Sequence, residues 1–543
     1  MRVFYFIPLV LLFVLDACSS ENKQQVASLN SELVAVSALN VPVLVEKENN
    51  ELIHLKIDVK DTPLDLSALT VHFADQALST ELQKLQVLYI GKNDKDDTKE
   101  LFGECSIKGI NNTITGSKKL SEGIHNFMLA LSVKSSIDIS GLIAIESIEC
   151  EFADGTVFQQ SNKDNDLTWR LGNVVRAANQ DNCHTYRIPG LVTTNEGTLI
   201  AVYDNRYNSK KDLQEDIDVG MSRSTDGGQT WEPMKVIMDM GEWGGQPQQL
   251  NGIGDPCVLY DHHSHSIWVA ALWLNGSAPD KMAWWDSKPG MKPGETGQFV
   301  ISKSTDDGLT WSEPLNITEQ IKDPTWQLLL QGPGRGITLE DGTLIFPAQF
   351  KEDIGAKALD GGPFTCHSTI VYSKDQGSTW QIGTGAKDNT TEAQVATLSD
   401  GSLMLNMRDD RNRKDKSKTN GRAVSVTKDL GTTWEKHVTS NSVLQESNCM
   451  ASLISSKIEV NGEMKHVLFF SNPNNKHARA NMTIKASLDD GLTWPYVLEL
   501  NEAKGFGYSC LSMIDENTIG ILYEGVRDLY FQKIAIDQII TKK

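Results

Sequence analysis

The sequence predicts an all-β protein: a six-bladed β-propeller preceded by a β-sandwich domain. Three observations carry that expectation. Apolar and polar residues alternate through much of residues 40–165, which is the period of half-buried strands. An eight-residue motif recurs five times beyond residue 170. No long stretch between its copies has the period of a helix.

The chain opens on a targeting segment, residues 1–18. Arg2 gives a short positive start, and Val3–Leu15 is an uncharged apolar run. That run is too short to span a bilayer comfortably and has the length of a signal-peptide core. It ends in Leu15-Asp16-Ala17-Cys18, which resembles a bacterial lipobox, although Asp16 stands where a small residue is usual. The expectation is an exported lipoprotein, in the periplasm or on the outer-membrane surface, anchored through Cys18. No later stretch resembles a transmembrane helix.

Residues 25–165 read as the β-sandwich module. Ile53, Leu55, Ile57 and Val59 alternate with His54, Lys56, Asp58 and Lys60. Leu69, Val71 and Phe73 repeat the pattern, as do Phe127, Leu129, Leu131 and Val133. Polar clusters such as Lys92–Asp97 read as turns. Residues 161–168, SNKDNDLT, read as a polar linker.

Residues 170–543 read as the propeller. The octet S-x-D-x-G-x-T-W stands at Ser224–Trp231, Ser304–Trp311, Ser373–Trp380 and Ser487–Trp494, with a Thr-led copy at Thr427–Trp434. Each copy has the chemistry of a hairpin turn. Asp226 can accept backbone N–H groups, Gly228 can supply a positive φ, and Trp231 returns into the next strand. The repeated carboxylates Asp226, Asp306, Asp375, Asp429 and Asp489 are therefore expected to be structural, since no site needs one acid five times. At roughly 60 residues per blade the segment holds about six blades, the sixth closing the ring from its two ends.

Composition narrows the function. With 39% apolar and 22% charged residues, the chain can bury a core and is not compositionally disordered. Lys+Arg 51 against Asp+Glu 71 leaves a net charge of −20, which argues against a general binder of nucleic acid or anionic membranes. An anionic ligand would need a few local arginines working against that field. Without Cys18 the cysteines are odd in number and lack metal-ligand spacing. They read as buried apolar residues, with Cys105 and Cys150 the one pair to examine. The histidines show no HExxH pattern, and Asp261–His265 reads as an exposed loop. No metal or cofactor is expected.

Tyr186-Arg187-Ile188-Pro189-Gly190 lies shortly before the first octet. Together with the octets, known as Asp-boxes, it resembles the bacterial exo-α-sialidases of glycoside hydrolase family 33 over essentially all of residues 180–530. The N-terminal sandwich is similar to the carbohydrate-binding-like modules of gut-bacterial members. The resemblance implies a six-bladed propeller that removes terminal sialic acid with retention of configuration. It implies three arginines on the sugar's carboxylate: Arg187, Arg408 and Arg479. Arginine fits that task because its planar, permanently charged fork matches a carboxylate. Arg411 and Arg413 are rivals of Arg408 in a charged run that reads as a solvated loop.

The resemblance further implies Tyr508 as nucleophile and Glu392 as its base. A phenol, with a pKa near ~10, needs such a partner at neutral pH, and sialidases are the known glycosidases with a tyrosine nucleophile. Asp212 matches the acid that protonates the leaving oxygen, with Glu215, Asp216 and Asp218 as rivals. Lys210 and Lys211 beside it are expected to keep its pKa low until a loop closes. Arg206 and Asp255 resemble contacts to the ring hydroxyl and N-acyl side, and Glu524 the carboxylate that orients Arg187. Gln331 is expected at the pocket rim, with Arg335 beside it as turn structure.

The substrate implied is a sialylated glycan on a glycoprotein, glycolipid (ganglioside breakdown included) or oligosaccharide, handled by a monomer. One alternative is a trans-sialidase or intramolecular trans-sialidase, and a lesser one is a non-catalytic Asp-box propeller used for binding. The N-terminal module is expected either to bind carbohydrate or to hold the catalytic part away from the membrane.

Overall fold

The computed structural model describes residues 34–92, 99–161 and 167–540. The targeting segment, most of the Lys92–Asp97 cluster and most of the 161–168 linker lie outside the described residues.

The N-terminal module stacks two antiparallel sheets. One orders its strands Val34–Ala38, Asn50–Val59, Gly123–Val133, Leu82–Gly91 and Glu100–Ser106. The other is built on Leu142–Phe152, Leu64–Phe73 and Asn111–Leu120. Ile53, Leu55, Ile57 and Phe127 of the first sheet meet Leu69 and Val71 of the second in one buried core. The alternation fails in Gly123–Val133, where Met128, Ala130 and Ser132 are also buried. That strand is the middle one of its sheet, and neighbours on both sides cover its polar-side residues. Cys105 and Cys150 are both free thiols. They stand on strands of different sheets.

Module and propeller are continuous. The strand Thr168–Arg176 pairs with Leu142–Phe152 at its start, with Val43–Val45, and with Leu529–Ala535 of the last propeller sheet. Asn173 Nδ2 donates to Gly228 O at 2.7 Å, and Gln229 Nε2 to Ile137 O at 2.8 Å, so the first Asp-box docks on the module. The module's core also runs into Tyr186, Tyr203 and Phe531.

Beyond residue 185 the sheets follow one another along the chain. Their first strands touch in sequence: Thr185–Thr193, Ile253–Asp261, the stretch 328–338, Thr390–Thr397, Ser452–Val460 and Ser509–Asp515. The last of these touches the first, which closes the ring. The innermost strands are buried almost throughout.

Each Asp-box joins the third and fourth strands of its sheet. In the first, Asp226 accepts from Thr230 N at 2.9 Å and Thr230 Oγ1 at 2.6 Å, while Gly228, at φ 87°, donates to Ser224 Oγ at 2.9 Å. The same bonds recur at Asp306, Asp375, Asp429 and Asp489. Trp231 packs edge-on to Phe531 at 5.2 Å. The sheet that ends the ring lacks a box for a topological reason. Its fourth strand, Thr168–Arg176, comes from the other end of the segment, so no turn connects it to the third.

Candidate active site

Strand direction fixes where function can sit. The boxes end the third strands, so in an antiparallel sheet they lie opposite the ends where the first strands begin. At that beginning, three first strands break register: between Arg187 and Gly190, between Gly254 and Cys257, and between Thr390 and Ala393. Such bulges turn side chains out of the ladder. Ile188, at φ 58°, and Asp255, at φ 56°, take the left-handed conformation there, which costs a β-branched residue in particular. Pro189 and Pro256 follow them and donate no ladder N–H. The bulges place Arg187, Asp255 and Glu392 around one mouth.

A cavity of about 340 Å³ opens at this end. One half is charged, lined by Arg187, Arg408, Arg479, Glu392, Asp212 and Tyr508. Asp255 lines it too. Arg187 Nε donates to Glu524 Oε1 at 3.0 Å, and Ile188 N to the same oxygen at 2.9 Å. The other Glu524 oxygen accepts from Tyr508 N at 2.8 Å. One buried carboxylate thus ties the first arginine to the tyrosine backbone, although Arg187 and Tyr508 are far apart in sequence.

Tyr508 Oη donates to Glu392 Oε1, and Arg408 Nη1 reaches Glu392 Oε2 at 2.6 Å and Tyr508 Oη at 3.3 Å. The Arg187 and Arg479 guanidinium groups lie 5.1 and 5.6 Å from the Tyr508 ring centre. Among the described residues, Arg187 Nη2 and Arg408 Nε are buried with no hydrogen-bond partner. Unmet buried guanidinium donors are costly, and they leave both arginines with capacity beyond their protein partners.

Asp212 accepts from Arg206 Nη1 at 2.6 Å and Arg187 Nη1 at 3.3 Å. A carboxylate already stands on the first arginine. Partial burial alone would raise the Asp212 carboxyl, but Arg206 and Arg187 outweigh it and hold it below the usual range. The cause is this pair of arginines rather than Lys210 and Lys211. Burial likewise pushes Glu392 up, and Arg408 pulls it below its ordinary value. Burial and the Glu392 charge raise the Tyr508 phenol well above its ordinary value, against the pull of Arg408 and Arg479. Burial, with Asp204 and Asp212 nearby, raises Asp255 strongly.

Two expectations are corrected. Gln331 is fully buried and does not line the cavity; its amide donates to Gly254 O and Asp255 O, holding the bulge from behind. Arg335 is not turn structure. It pairs in parallel with Val258, and its guanidinium donates to Leu511 O at 3.3 Å. Arg206 stays behind Asp212, buried against Asp204 at 2.7 Å, with Asp255 at 3.9 Å. Asp216 and Asp218, rivals of Asp212, lie off the cavity, Asp218 bonded to Tyr207 at 2.9 Å. Arg411 and Arg413 pair locally with Asp415 and Asp410, although Arg413 also reaches the cavity wall.

Sequence reasoning missed three parts of the site. Asp204 clamps Arg206 and accepts from Asp255 N at 2.7 Å. Asn448 accepts from Arg408 Nη2 at 3.2 Å. The cavity's apolar half, with Leu272, Met282, Trp284 and Leu330, was missed entirely; the only signal was an aromatic doublet in a Gly- and Pro-rich loop. A larger cavity of about 430 Å³ lies between module and propeller. It touches the back of Arg479 and Glu524 but neither Glu392 nor Arg408, so the chemistry resides in the smaller one.

Fold and site together define an Asp-box β-propeller protein with an N-terminal β-sandwich domain, its polar cavity at the end away from the boxes. Residues 197–521 match the BNR repeat-like domain, and residues 31–155 match the N-terminal domain of BNR-repeat neuraminidase. A sialidase of Bacteroides fragilis is 42% identical over 94% of this chain and 96% of its own. The solved Hadza microbial sialidase Hz136 superposes with a TM-score of 0.83 at 40% identity, over 93% of this chain and 99% of that one. An intramolecular trans-sialidase from Ruminococcus gnavus shares the fold at 19% identity and a TM-score of 0.53, over 68% of this chain and 99% of its own. The chain belongs to the BNR-repeat sialidase (neuraminidase) family.

Proposed function

We propose that the protein is an exo-α-sialidase that hydrolyses terminal sialic acid from glycoproteins, glycolipids and oligosaccharides, with retention of configuration. The observation that carries this reading is the pairing of Tyr508 with Glu392 beside arginines whose buried donors are unmet.

The sugar's carboxylate docks on Arg187, Arg408 and Arg479 and displaces Asp212 from Arg187. With that arginine's charge neutralised, the Asp212 pKa rises and the group can carry a proton. Tyr508 Oη attacks the anomeric carbon while its proton passes to Glu392. The bond to the leaving oxygen breaks, and Asp212 protonates that oxygen. In the second half Asp212 takes a proton from water, water attacks the anomeric carbon, and Tyr508 departs and recovers its proton from Glu392. Because the resting phenol is held neutral, its charge develops only as the bond forms, with Arg408 and Arg479 beside it.

The test is release from a sialyl aryl glycoside. Tyr508→Phe and Asp212→Ala should each abolish turnover while the folded state survives; near-normal rates in both would defeat the proposal. NMR of the product separates free sialic acid from transfer to another sugar or an intramolecular anhydro product.

We further propose that the enzyme is exported and anchored through Cys18 in the periplasm or at the outer surface. The basis is the reading of residues 1–18. Labelling with a radioactive fatty acid should be lost in Cys18→Ser, and equal labelling of both proteins would refute the anchor.

A further inference from the structure

The apolar half of the cavity rests on a buried ion pair that does not itself line it. Trp284 and Trp285 lie in the one-turn helix Ala283–Asp286, within the connection between strands Ser266–Trp273 and Gln298–Ser304. A helix this short has almost no stability of its own. Something else must hold the two rings.

Lys351 does so from beneath. It stands on the strand Leu344–Glu352 with its side chain 0% exposed. Its Nζ lies 4.1 Å from the Trp284 ring centre and 4.7 Å from that of Trp285, and donates to Trp284 O at 3.2 Å. Its counter-ion, Asp360, lies at 3.5 Å with its side chain 2% exposed. The same Asp360 oxygen accepts from Trp284 Nε1 at 3.0 Å. One ammonium thus sits against both rings, and one carboxylate takes both the ammonium and the indole N–H.

A fully buried lysine pays a desolvation penalty that an apolar residue of similar size would avoid. Pure packing does not explain its presence. What a cation adds here is direction: it holds aromatic faces, and its hydrogen bonds fix a backbone carbonyl. The tryptophan turn is tied on its other side as well. Ala283 N donates to Leu213 O at 2.7 Å, adjacent to Asp212. Trp285 remains 48% exposed at the mouth of the cavity.

We infer that Lys351, with Asp360, is a positioning residue that sets the Trp284–Trp285 wall and through it the fit of the substrate's leaving-group side. The inference rests on the proposed sialidase reading. There Asp212 protonates the leaving oxygen, so the departing sugar passes the wall hydrogen-bonded to Leu213.

The experiment is a double-mutant cycle on the full-length protein, with kcat and KM measured on sialyllactose. Lys351→Met should raise KM about tenfold and leave kcat within about threefold, the scale of one lost cation–π contact. Trp285→Ala should do the same. The double variant should be no worse than Trp285→Ala alone, because both changes disable one wall. Binding of free sialic acid, which lacks the leaving group, should be unchanged in all three. A wild-type KM in Lys351→Met, or effects that multiply in the double variant, overturns the inference. If Lys351→Met does not accumulate, Asp360→Asn runs the same cycle; it keeps an acceptor for Trp284 Nε1 but breaks the ion pair. Failure of the wild type to release sialic acid would instead sink the sialidase reading itself.

Discussion

At one end of the ring, five aspartates sit in five near-identical turns. At the other, Asp212, Asp255 and Glu392 line a single cavity, with Glu524 behind Arg187. The box aspartates are met locally, by a serine or threonine before them and a threonine after. Thr310, Thr379 and Thr433 hold Asp306, Asp375 and Asp429 below the usual carboxylate range by hydrogen bonding. The cavity carboxylates are met by arginines and a tyrosine outside their own turns, and their pKa values are pulled in opposite directions: Glu392 and Asp212 down, Asp255 up. A carboxylate satisfied by its own turn can be copied along a chain. One balanced between burial and distant arginines can exist only once.

If that contrast is correct, the largest effect after those of Tyr508 and Asp212 should come from Glu392. Glu392→Gln keeps the side chain's size but removes the base for Tyr508 and the charge facing Arg408. The expected loss in kcat is roughly 10²–10⁴, the range of general-base catalysis, with little change in thermal midpoint. A kcat within a few-fold of wild type would place Glu392 among structural carboxylates.

Arg408→Lys tests geometry at constant charge. A lysine has no planar fork, and it cannot reach Glu392, Asn448 and a ligand carboxylate together. Losing one charge-assisted hydrogen bond, roughly 1.5–3 kcal/mol, should lower kcat/KM by about 10- to 150-fold. An unchanged kcat/KM would mean that Arg408 serves only as a positive charge.

The box end should respond in the opposite manner. Asp489 accepts from Ser487 Oγ at 2.7 Å, Thr493 N at 2.9 Å and Thr493 Oγ1 at 2.7 Å. Asp489→Ala should cost roughly 1–2 kcal/mol of stability by denaturant unfolding, with kcat/KM per folded molecule unchanged. A fall in kcat/KM without a loss of stability would show that the two ends are not separable.

The same contrast explains what could be read in the sequence. The boxes are local, so Ser224, Asp226, Gly228 and Trp231 announce their turn within eight residues. Arg187 stands in the short motif Tyr186–Gly190, but Glu392, Arg408 and Tyr508 carry no such local mark; a family resemblance was needed to connect the four. Gln331 and Arg335 were misread because nothing nearby shows that the ring's first strands would bury them. The Trp284–Trp285 wall stayed hidden because its partners lie far along the chain, Lys351 on the strand Leu344–Glu352 of another sheet and Asp360 in the turn that follows that strand. The strand Thr168–Arg176 spans the end of the expected linker and the start of the expected propeller, and nothing in its sequence reveals that it is also part of the module's sheet.

A different effect, confined to the pH dependence of stability, is expected from a carboxylate that belongs to neither group. Asp218 begins the strand Ile217–Ser224, bonded to Tyr207 Oη at 2.9 Å and Gln248 Nε2 at 3.2 Å. Burial, together with the like charges of Asp239 and Asp216, pushes its pKa up to about 7. An unfolded aspartate titrates near ~3.9. Between those two values the native state holds a proton that the unfolded state has released, so stability falls as pH rises through that window. Above about pH 7 both states are ionised and the full penalty of a buried charge remains. Asp218→Asn is neutral throughout and escapes the penalty. Its thermal midpoint should match wild type near pH 4 and exceed it by a few degrees at pH 8. Equal slopes for the two proteins between pH 5 and 8 would show that Asp218 is ionised at no cost, as the box aspartates are.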